Sequence, residues 1–241
     1  MTLEGRLANS RLPADDDPSL WIEGRQTIVS SSWGVEPPGA WIGVHANAVD
    51  KPIPGEFDFR IEVAEVDALG QPTSIVQQRS LRTSVPHEPR ELLERDAHLP
   101  AKAPAWYRIR TSVSQDAFSA ERRAYITVPA QVLEAELVPA RKRARPGDKL
   151  TFTLVNTGPT DLFFGVDYRL EREDSGKWTC CNVEEAWICI GLCLEPGGRW
   201  RDAAVLPEDA PPGRYRVSKD VNGVGTNLKR TVSFEFHVAE K

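Results

Sequence analysis

The sequence has few of the residues and none of the short motifs on which most enzyme chemistry depends. Its 241 residues include four histidines and one methionine. It contains no Gly-x-Ser-x-Gly elbow, His-Glu-x-x-His pair, phosphate-binding loop or dinucleotide fingerprint. These absences argue against esterase, zinc-protease and nucleotide-dependent activities. We therefore predict a protein that is not an enzyme and that has no catalytic residue, no resident metal and no cofactor.

Long apolar runs and an excess of positive charge are also missing. A membrane-spanning helix needs about 20 apolar residues, whereas the longest run here, residues 186–194, stops at nine. Thirty basic and 35 acidic side chains give a net charge of −5, so no general positive field attracts nucleic acid or an anionic membrane. We expect no nucleic-acid partner and no membrane-spanning segment, and we leave protein ligands, glycan ligands and self-association open.

The first residues carry no signal-peptide pattern, because no apolar stretch of about 7–15 residues follows a basic start. The location is therefore either cytoplasmic or extracytoplasmic with a leader that is not in this sequence. Residues 1–20, which include Pro13 and the acidic run 15–17, offer few side chains to bury. We predict a flexible N-terminal leader over residues 1–20.

Cysteine is missing everywhere except in one short segment, which contains Cys180, Cys181, Cys189 and Cys193. Two disulfides would fit an even count in a strand-rich domain and would imply an oxidising compartment. Unpaired structural thiols and a zinc site are the alternatives. The spacing of Cys189 and Cys193 suits zinc, but adjacent side chains such as Cys180 and Cys181 point to opposite faces of a strand. We predict disulfides and leave their pairing open.

Most of the remaining sequence alternates apolar and polar residues, which is typical of half-buried strands. Examples in the first half are residues 57–63, 106–110 and 124–128. Residues 89–95 are an exception with helical character, and we expect them to connect two strands. The same alternation restarts after Pro129, with turns every 8–12 residues. The sequence therefore predicts an all-β protein of two tandem immunoglobulin-like sandwiches, at residues 21–130 and 131–241.

Residues 136–238 resemble a bacterial immunoglobulin-like domain of Gram-positive surface proteins and lipoproteins. The segments that carry the resemblance are residues 145–147, 150–156, 164–171, 176–178, 194–197 and 213–219. The resemblance implies an accessory or adhesion-like module with no catalytic residue to carry over, and an extracytoplasmic location. The four cysteines depart from the family pattern. Residues 1–130 resemble no family.

Aromatic residues near turns are the candidates for a binding site. Trp178, Trp187 and Trp200 surround the cysteine segment, and Trp21, Trp33 and Trp41 surround a stretch rich in serine, glycine and proline. Aromatic rings at the end of a sandwich can stack on sugars or anchor a protein interface. The loops that we select as a binding site are represented by Trp187, Gly191, Asn222 and Asn227.

These observations lead to a main prediction and two alternatives. The main prediction is a non-catalytic binding or structural module of a bacterial surface or secreted protein, with its ligand held by loops at one end of a sandwich. The first alternative is a subunit of a repeating extracellular assembly that is joined through sheet edges. The second is a metal-dependent hydrolase that uses His87 or His98 with neighbouring acids, namely Glu88, Glu91, Glu94 and Asp96.

Overall fold

The computed structural model is all-β and divides into two units. Unit 1 is Met1–Pro129 and unit 2 is Ala130–Lys241. The part of the chain that it describes contains strands and turns but no helix, so the prediction of an all-β sandwich protein is confirmed. Residues 1–18 of the predicted leader lie outside this part, and residues 19 and 20 belong to the first strand. The described residues are 19–22, 25–31, 34–49, 51–67, 69–93, 97–181 and 190–240.

Unit 1 packs a four-stranded sheet against a five-stranded sheet. The strand orders are β1-β2-β4-β7 and β3-β9-β8-β5-β6. The strands are β1 (Ser19–Ile22), β2 (Arg25–Ser31), β3 (Gly34–Val35), β4 (Val44–Ala48), β5 (Ile53–Val66), β6 (Pro72–Val85), β7 (Arg90–Glu91), β8 (Ala105–Gln115) and β9 (Phe118–Val128). Alternate residues of β4, β5, β8 and β9 point inward and share one core. That this sandwich is immunoglobulin-like stays a prediction.

The helical character predicted for residues 89–95 is wrong where the structure describes them. Arg90 and Glu91 form β7, which pairs with β4. Leu92 and Leu93 are buried, and the backbone N–H of Leu92 donates to the carbonyl of Val44. The sequence placed two leucines among charged residues, which is also the pattern of a helical turn. The segment pairs with β4 because this pairing buries both leucines and gives the backbone N–H of Leu92 a hydrogen-bond acceptor.

Unit 2 also has two sheets around its own core. Its strands are β10 (Ala135–Pro139), β11 (Arg143–Ala144), β12 (Lys149–Asn156), β13 (Leu162–Gly165), β14 (Arg169–Asp174), β15 (Lys177–Cys180), β16 (Gly191–Leu194), β17 (Arg199–Val205), β18 (Gly213–Gly223) and β19 (Lys229–Val238). The smaller sheet has the order β10-β12-β17. The larger has the order β11-β19-β18-β13-β16, and β14 and β15 extend it beside β18.

Aromatic side chains fill much of the core of unit 2. Phe152 of β12 packs against Tyr168 and Phe234, and Tyr215 packs against Phe236. The hydroxyl of Tyr215 donates to the carbonyl of Pro211 at 2.8 Å, which ties the segment before β18 to the core. This is the tyrosine corner of immunoglobulin-type sandwiches, where a buried tyrosine bonds to backbone a few residues upstream.

The strand that lies beside β18 is interrupted. Its first half, β13, pairs with the end of β18 near Asn222, and its second half, β14, pairs with the start of β18 near Arg216. Residues 166–168 bulge between the two halves. The bulge separates the pairing of β13 near one end of β18 from the pairing of β14 near the other end.

A charged side chain inside the core holds this bulge. Lys219 is 1% exposed, and its Nζ donates to the main-chain oxygen of Asp167 at 2.6 Å. The same Nζ lies 4.8 Å from the ring centre of Trp200 and 5.4 Å from that of Phe164. Burial lowers the pKa of Lys219, while the charges of Asp167 and Asp202 act in the opposite direction.

We expect Lys219→Ala to lower the free energy of unfolding by about 3 kcal/mol, because it opens a void and takes this donor from the Asp167 carbonyl. Urea denaturation at neutral pH measures the effect. Lys149→Ala removes an exposed lysine of β12 and is the matched control, with an expected change of about 0.5 kcal/mol or less. Equal effects of the two substitutions would contradict a structural role for Lys219.

The pKa shift of Lys219 predicts a change of stability at alkaline pH. Its folded pKa lies below the ordinary value of 10.5, so between the two values the unfolded chain binds more protons and stability rises with pH. Lys219→Met lacks this contribution. The stability of the wild type relative to Lys219→Met should therefore increase as the pH approaches 10.5. Urea denaturation of both proteins at a series of pH values above neutral measures the difference in their free energies of unfolding. A difference that does not change with pH would show that the expectation is wrong.

Candidate functional site

Three residues selected from the sequence lie around one residue that sequence reasoning missed, Phe163. Within the larger sheet of unit 2, Phe163 pairs with Cys193 of β16 on one side and with Asn222 of β18 on the other. Residues directly opposite each other in a sheet point to the same face. Gly191 lies two residues before Cys193 on β16 and shares that face. We call Phe163, Gly191, Cys193 and Asn222 the Phe163 patch.

Phe163 is the apolar centre of the patch. Its neighbours in β13, Leu162 and Phe164, are buried, whereas Phe163 points outward and is 45% exposed. A Cβ atom on Gly191 would lie 2.5 Å from two carbons of the phenyl ring. Glycine at position 191 therefore allows the ring to lie over β16. The side-chain amide of Asn222 donates to the carbonyl of Phe163 at 3.5 Å.

The other selected residues fall in different places. Asn227 lies in the turn between β18 and β19 and is exposed. Trp187 and Cys189 lie outside the described residues. Gly191 and Asn222 were expected in loops, but they belong to β16 and β18, because pairing with β13 continues to both positions. The candidate site is thus the edge of a sheet.

The edge beside the patch is formed by β16. This strand is the last of its sheet, and within the described residues no further strand pairs with its outer side. An edge strand presents backbone N–H and C=O groups that are free to pair with another chain. Cys193 and Gly191 are exposed on this strand, and Ile190 just before it is also exposed.

The opposite end of the same face is occupied by ion pairs. Arg216 donates to Glu171 at 2.6 Å, and this bond holds the pKa of Glu171 below its ordinary value. Arg214 bonds to both Glu173 and Glu235. The Trp178 ring lies under Arg216 and is partly covered. Charged groups therefore satisfy one another at this end, which leaves the Phe163 patch as the apolar part of the face.

The sheet register separates the cysteines that are close in sequence. Cys180 is opposite Glu171, which is opposite Arg216 of β18, and Cys193 is opposite Phe163, which is opposite Asn222. Arg216 and Asn222 are six residues apart on one strand, so the Cα atoms of Cys180 and Cys193 are about 20 Å apart.

A disulfide joins Cα atoms that are about 4.4–6.8 Å apart. Cys193 therefore cannot pair with Cys180, nor with Cys181, which continues the same strand opposite Leu170. The thiols of Cys181 and Cys193 are free. Within one chain, Cys193 is left with Cys189 as a partner, and Cys180 and Cys181 with each other or with Cys189. The disulfides themselves stay a prediction.

Cys181 lines a cavity of about 320 Å³ at the end of the sandwich, with Arg172, Pro207, Pro211 and Tyr215 among the other lining residues. Burial, followed by the neighbouring Cys180, raises the pKa of the Cys181 thiol to about 11. A thiol with this pKa is protonated at neutral pH and is a poor nucleophile and a poor zinc ligand. Its Sγ is 3.5 Å from the carbonyl oxygen of Leu170. Cys181 is thus a packing residue of this cavity.

The hydrolase alternative depends on two histidines and their acidic neighbours. His87 and His98 are exposed, and Nδ1 of His98 is 3.1 Å from the carbonyl oxygen of Gly39. Glu94 and Asp96 lie outside the described residues. Among the residues that are described, no group of three or more His, Cys, Asp or Glu side chains could hold a metal ion.

Residues 138–237 match the family model of a bacterial Ig-like domain, which covers the sheets that carry the Phe163 patch. Residues 138–237 form a bacterial Ig-like domain. The resemblance found in the sequence is thereby confirmed, and it supports a structural or binding module. The Phe163 patch belongs to this Ig-like domain. No curated protein matches the chain.

Three solved structures that match most of the chain share little sequence with it. Red sea bream transglutaminase has 12% identity and a TM-score of 0.36, over 88% of this chain and 31% of its own. Elastase-activated Escherichia coli alpha-2-macroglobulin has 13% identity and a TM-score of 0.30, over 88% and 22%. Salmonella alpha-2-macroglobulin reacted with methylamine has 12% identity and a TM-score of 0.28, over 89% of this chain and 16% of its own. The chain spans less than a third of each of these proteins.

The structure also bears on the membrane prediction. In the described part of the chain, no helix has the length and apolarity needed to cross a membrane.

The register predicts which disulfides an oxidised monomer can form. We expect peptide mapping without reduction, after oxidation with glutathione disulfide, to give no intrachain link from Cys193 to Cys180 or Cys181, because about 20 Å separates them. The Cys189→Ser variant is the control, since it should leave Cys193 without a partner in its own chain. An intrachain link between Cys180 and Cys193 would overturn the register.

Proposed function

We propose that the chain is a non-catalytic binding module of a bacterial surface or secreted protein, and that its Ig-like domain receives an extended segment of a protein ligand at the β16 edge. The observation that carries the proposal is the Phe163 patch beside β16, the last strand of its sheet in the part of the chain that the structure describes. A ligand strand added to β16 would gain backbone hydrogen bonds, and the exposed phenyl ring would select its apolar side chains. The surface location rests on the family match and on the predicted disulfides.

The composition of β16 supports this proposal. Other edge strands carry charges that discourage pairing, such as Arg79 and Arg82 on β6 and Arg199, Arg201 and Asp202 on β17. The four residues of β16, Gly-Leu-Cys-Leu, carry no charge. Among the described residues, no strand covers this uncharged edge beside an exposed phenylalanine, and a ligand strand is a partner that fits it.

A peptide-display library panned on the full chain tests the proposal. We expect extended apolar peptides to be enriched on the wild type and to lose at least about 90% of their binding to Phe163→Arg, because the substitution removes the apolar contact and places a charge that would lose its hydration against an apolar side chain. Val138→Arg is the matched control, since Val138 of β10 is also 45% exposed in the same unit. Val138→Arg should bind the selected peptides as the wild type does.

Two outcomes would count against the proposal. One is that no peptide is enriched on the wild type. The other is that enriched peptides bind equally well to the wild type and to Phe163→Arg. Circular dichroism of each variant shows whether it is folded.

A second candidate function, a subunit of an extracellular assembly, uses the same edge. Two copies could pair β16 to β16, which would place Cys193 of one copy near Cys193 of the other. The open edge and the exposed thiol favour this arrangement. No arrangement in the described residues favours the hydrolase alternative, so we do not develop it.

Sedimentation of the full chain distinguishes assembly from ligand binding. If the edge joins copies, the wild type should form dimers that dissociate on reduction, while Phe163→Arg should remain a monomer. If the edge binds another protein, both should be monomers at the same concentration. Dimers formed equally by both variants would exclude the β16 edge as the contact.

A further inference from the structure

An exposed tryptophan on unit 1 rests its indole ring on a glycine. Trp41 is 44% exposed. A Cβ atom on Gly43 would lie 2.8 Å from the ring atom Cζ3, so the ring covers the backbone at this glycine. The six-membered ring of the indole is therefore close to the backbone at Gly43, and part of the indole remains open to solvent.

Two histidines flank the ring. Trp41 and His98 form an antiparallel β-bridge, with hydrogen bonds from Ile42 to Ala97 and from Leu99 to Ala40 on either side of it. Trp41 and His98 are thus a non-hydrogen-bonded pair, in which side chains lie closest to each other. His45 lies four residues after Trp41 on the same face, with its ring centre 6.3 Å from that of the indole.

The contact of His98 with the backbone determines what this ring can offer a ligand. Its Nδ1 is 3.1 Å from the carbonyl oxygen of Gly39, which can only accept a hydrogen bond. Nδ1 therefore carries a proton, and in the neutral ring Nε2 is an acceptor. His98 is exposed, so a hydroxyl group from solvent can reach it.

We propose that Trp41, His45 and His98 form a binding site for a pyranose ring of a neutral glycan. The C–H groups on one face of a pyranose are weakly positive and pack on the electron-rich face of an indole. Its hydroxyls are donors and acceptors, which match the nitrogen atoms of the flanking imidazoles. A quaternary cation would call for several aromatic walls around one point. The site is on unit 1 and is independent of the Phe163 patch.

Gly43 has a defined role in this site. Any side chain at position 43 would collide with the indole and lift it from the strand. The glycine thereby allows the indole to keep its position against the strand. This makes Gly43→Ala a test of ring orientation that leaves the tryptophan in place.

Titration of the full chain with chitohexaose and cellohexaose, followed by calorimetry and by the indole N–H signals in NMR, tests the proposal. We expect one of them to bind, and we expect Trp41→Ala and Gly43→Ala each to weaken binding roughly tenfold. Trp178→Ala is the matched control and should bind like the wild type, because the Trp178 ring is occupied by Arg216. Thermal unfolding of each variant shows that it is folded.

Three results would overturn the glycan site. The first is that neither oligosaccharide binds at about 10 mM, which is weaker than stacking and hydrogen bonds together provide. The second is that Trp41→Ala binds as tightly as the wild type. The third is that a proline-rich peptide shifts the Trp41 signal while the sugars do not, which would make the surface a peptide site.

Discussion

The pairing of β18 with both halves of an interrupted strand fixes the geometry of unit 2. Because β13 and β14 occupy different lengths of the same edge of β18, the outer strands β16 and β15 are kept apart by the same distance. This spacing determines where three groups lie on the outer face of the sheet. The apolar patch lies at one end, the ion pairs lie at the other, and the cysteines are divided between them.

The interruption itself depends on a buried amine. A backbone bulge leaves a carbonyl without a strand partner, and an apolar side chain in the core could not satisfy it. Lys219 supplies the donor, and the rings of Trp200 and Phe164 lie close to its charged amine, where they attract it. Burying an amine is costly, which is why the pKa of Lys219 is lowered. The hydrogen bond from Lys219 fixes the bulge that follows β13 and so keeps β13 in the position that exposes Phe163.

The alternation of apolar and polar residues and the positions of turn residues predicted individual strands and turns of this fold. Alternation at Leu150, Phe152 and Leu154 indicates β12, and the glycine after Pro146 adopts the positive φ of a turn, +80°. Residues 89–95 were misread because two leucines among charges fit either a helix or a strand. Pairing with β4 makes the segment a strand, and the sequence of the segment alone does not show that it will pair with β4.

The candidate site was only half predictable for a similar reason. Gly191 and Asn222 were selected as loop residues, yet they matter as the strand neighbours of Phe163. Phe163 was missed because the run Leu-Phe-Phe looks buried throughout, although period-two alternation between buried Leu162 and Phe164 turns it outward. The cysteines were read as one cluster because they are close in sequence. Cys180 lies on β15 and Cys193 lies on β16, and these two strands are at different ends of the sheet. The cysteines that are close in sequence are therefore far apart in the structure.

The length of β16 bears on which partner its edge can hold. Four residues span about 13 Å, so backbone bonds alone give a short contact. Two copies that pair through this strand would add only two phenyl rings to a few hydrogen bonds, which is a small interface unless the thiols of Cys193 are joined. A ligand strand can continue past β16 and bury its own side chains on Phe163. The short edge therefore favours a ligand with an extended apolar segment over a second copy of the chain in reducing conditions.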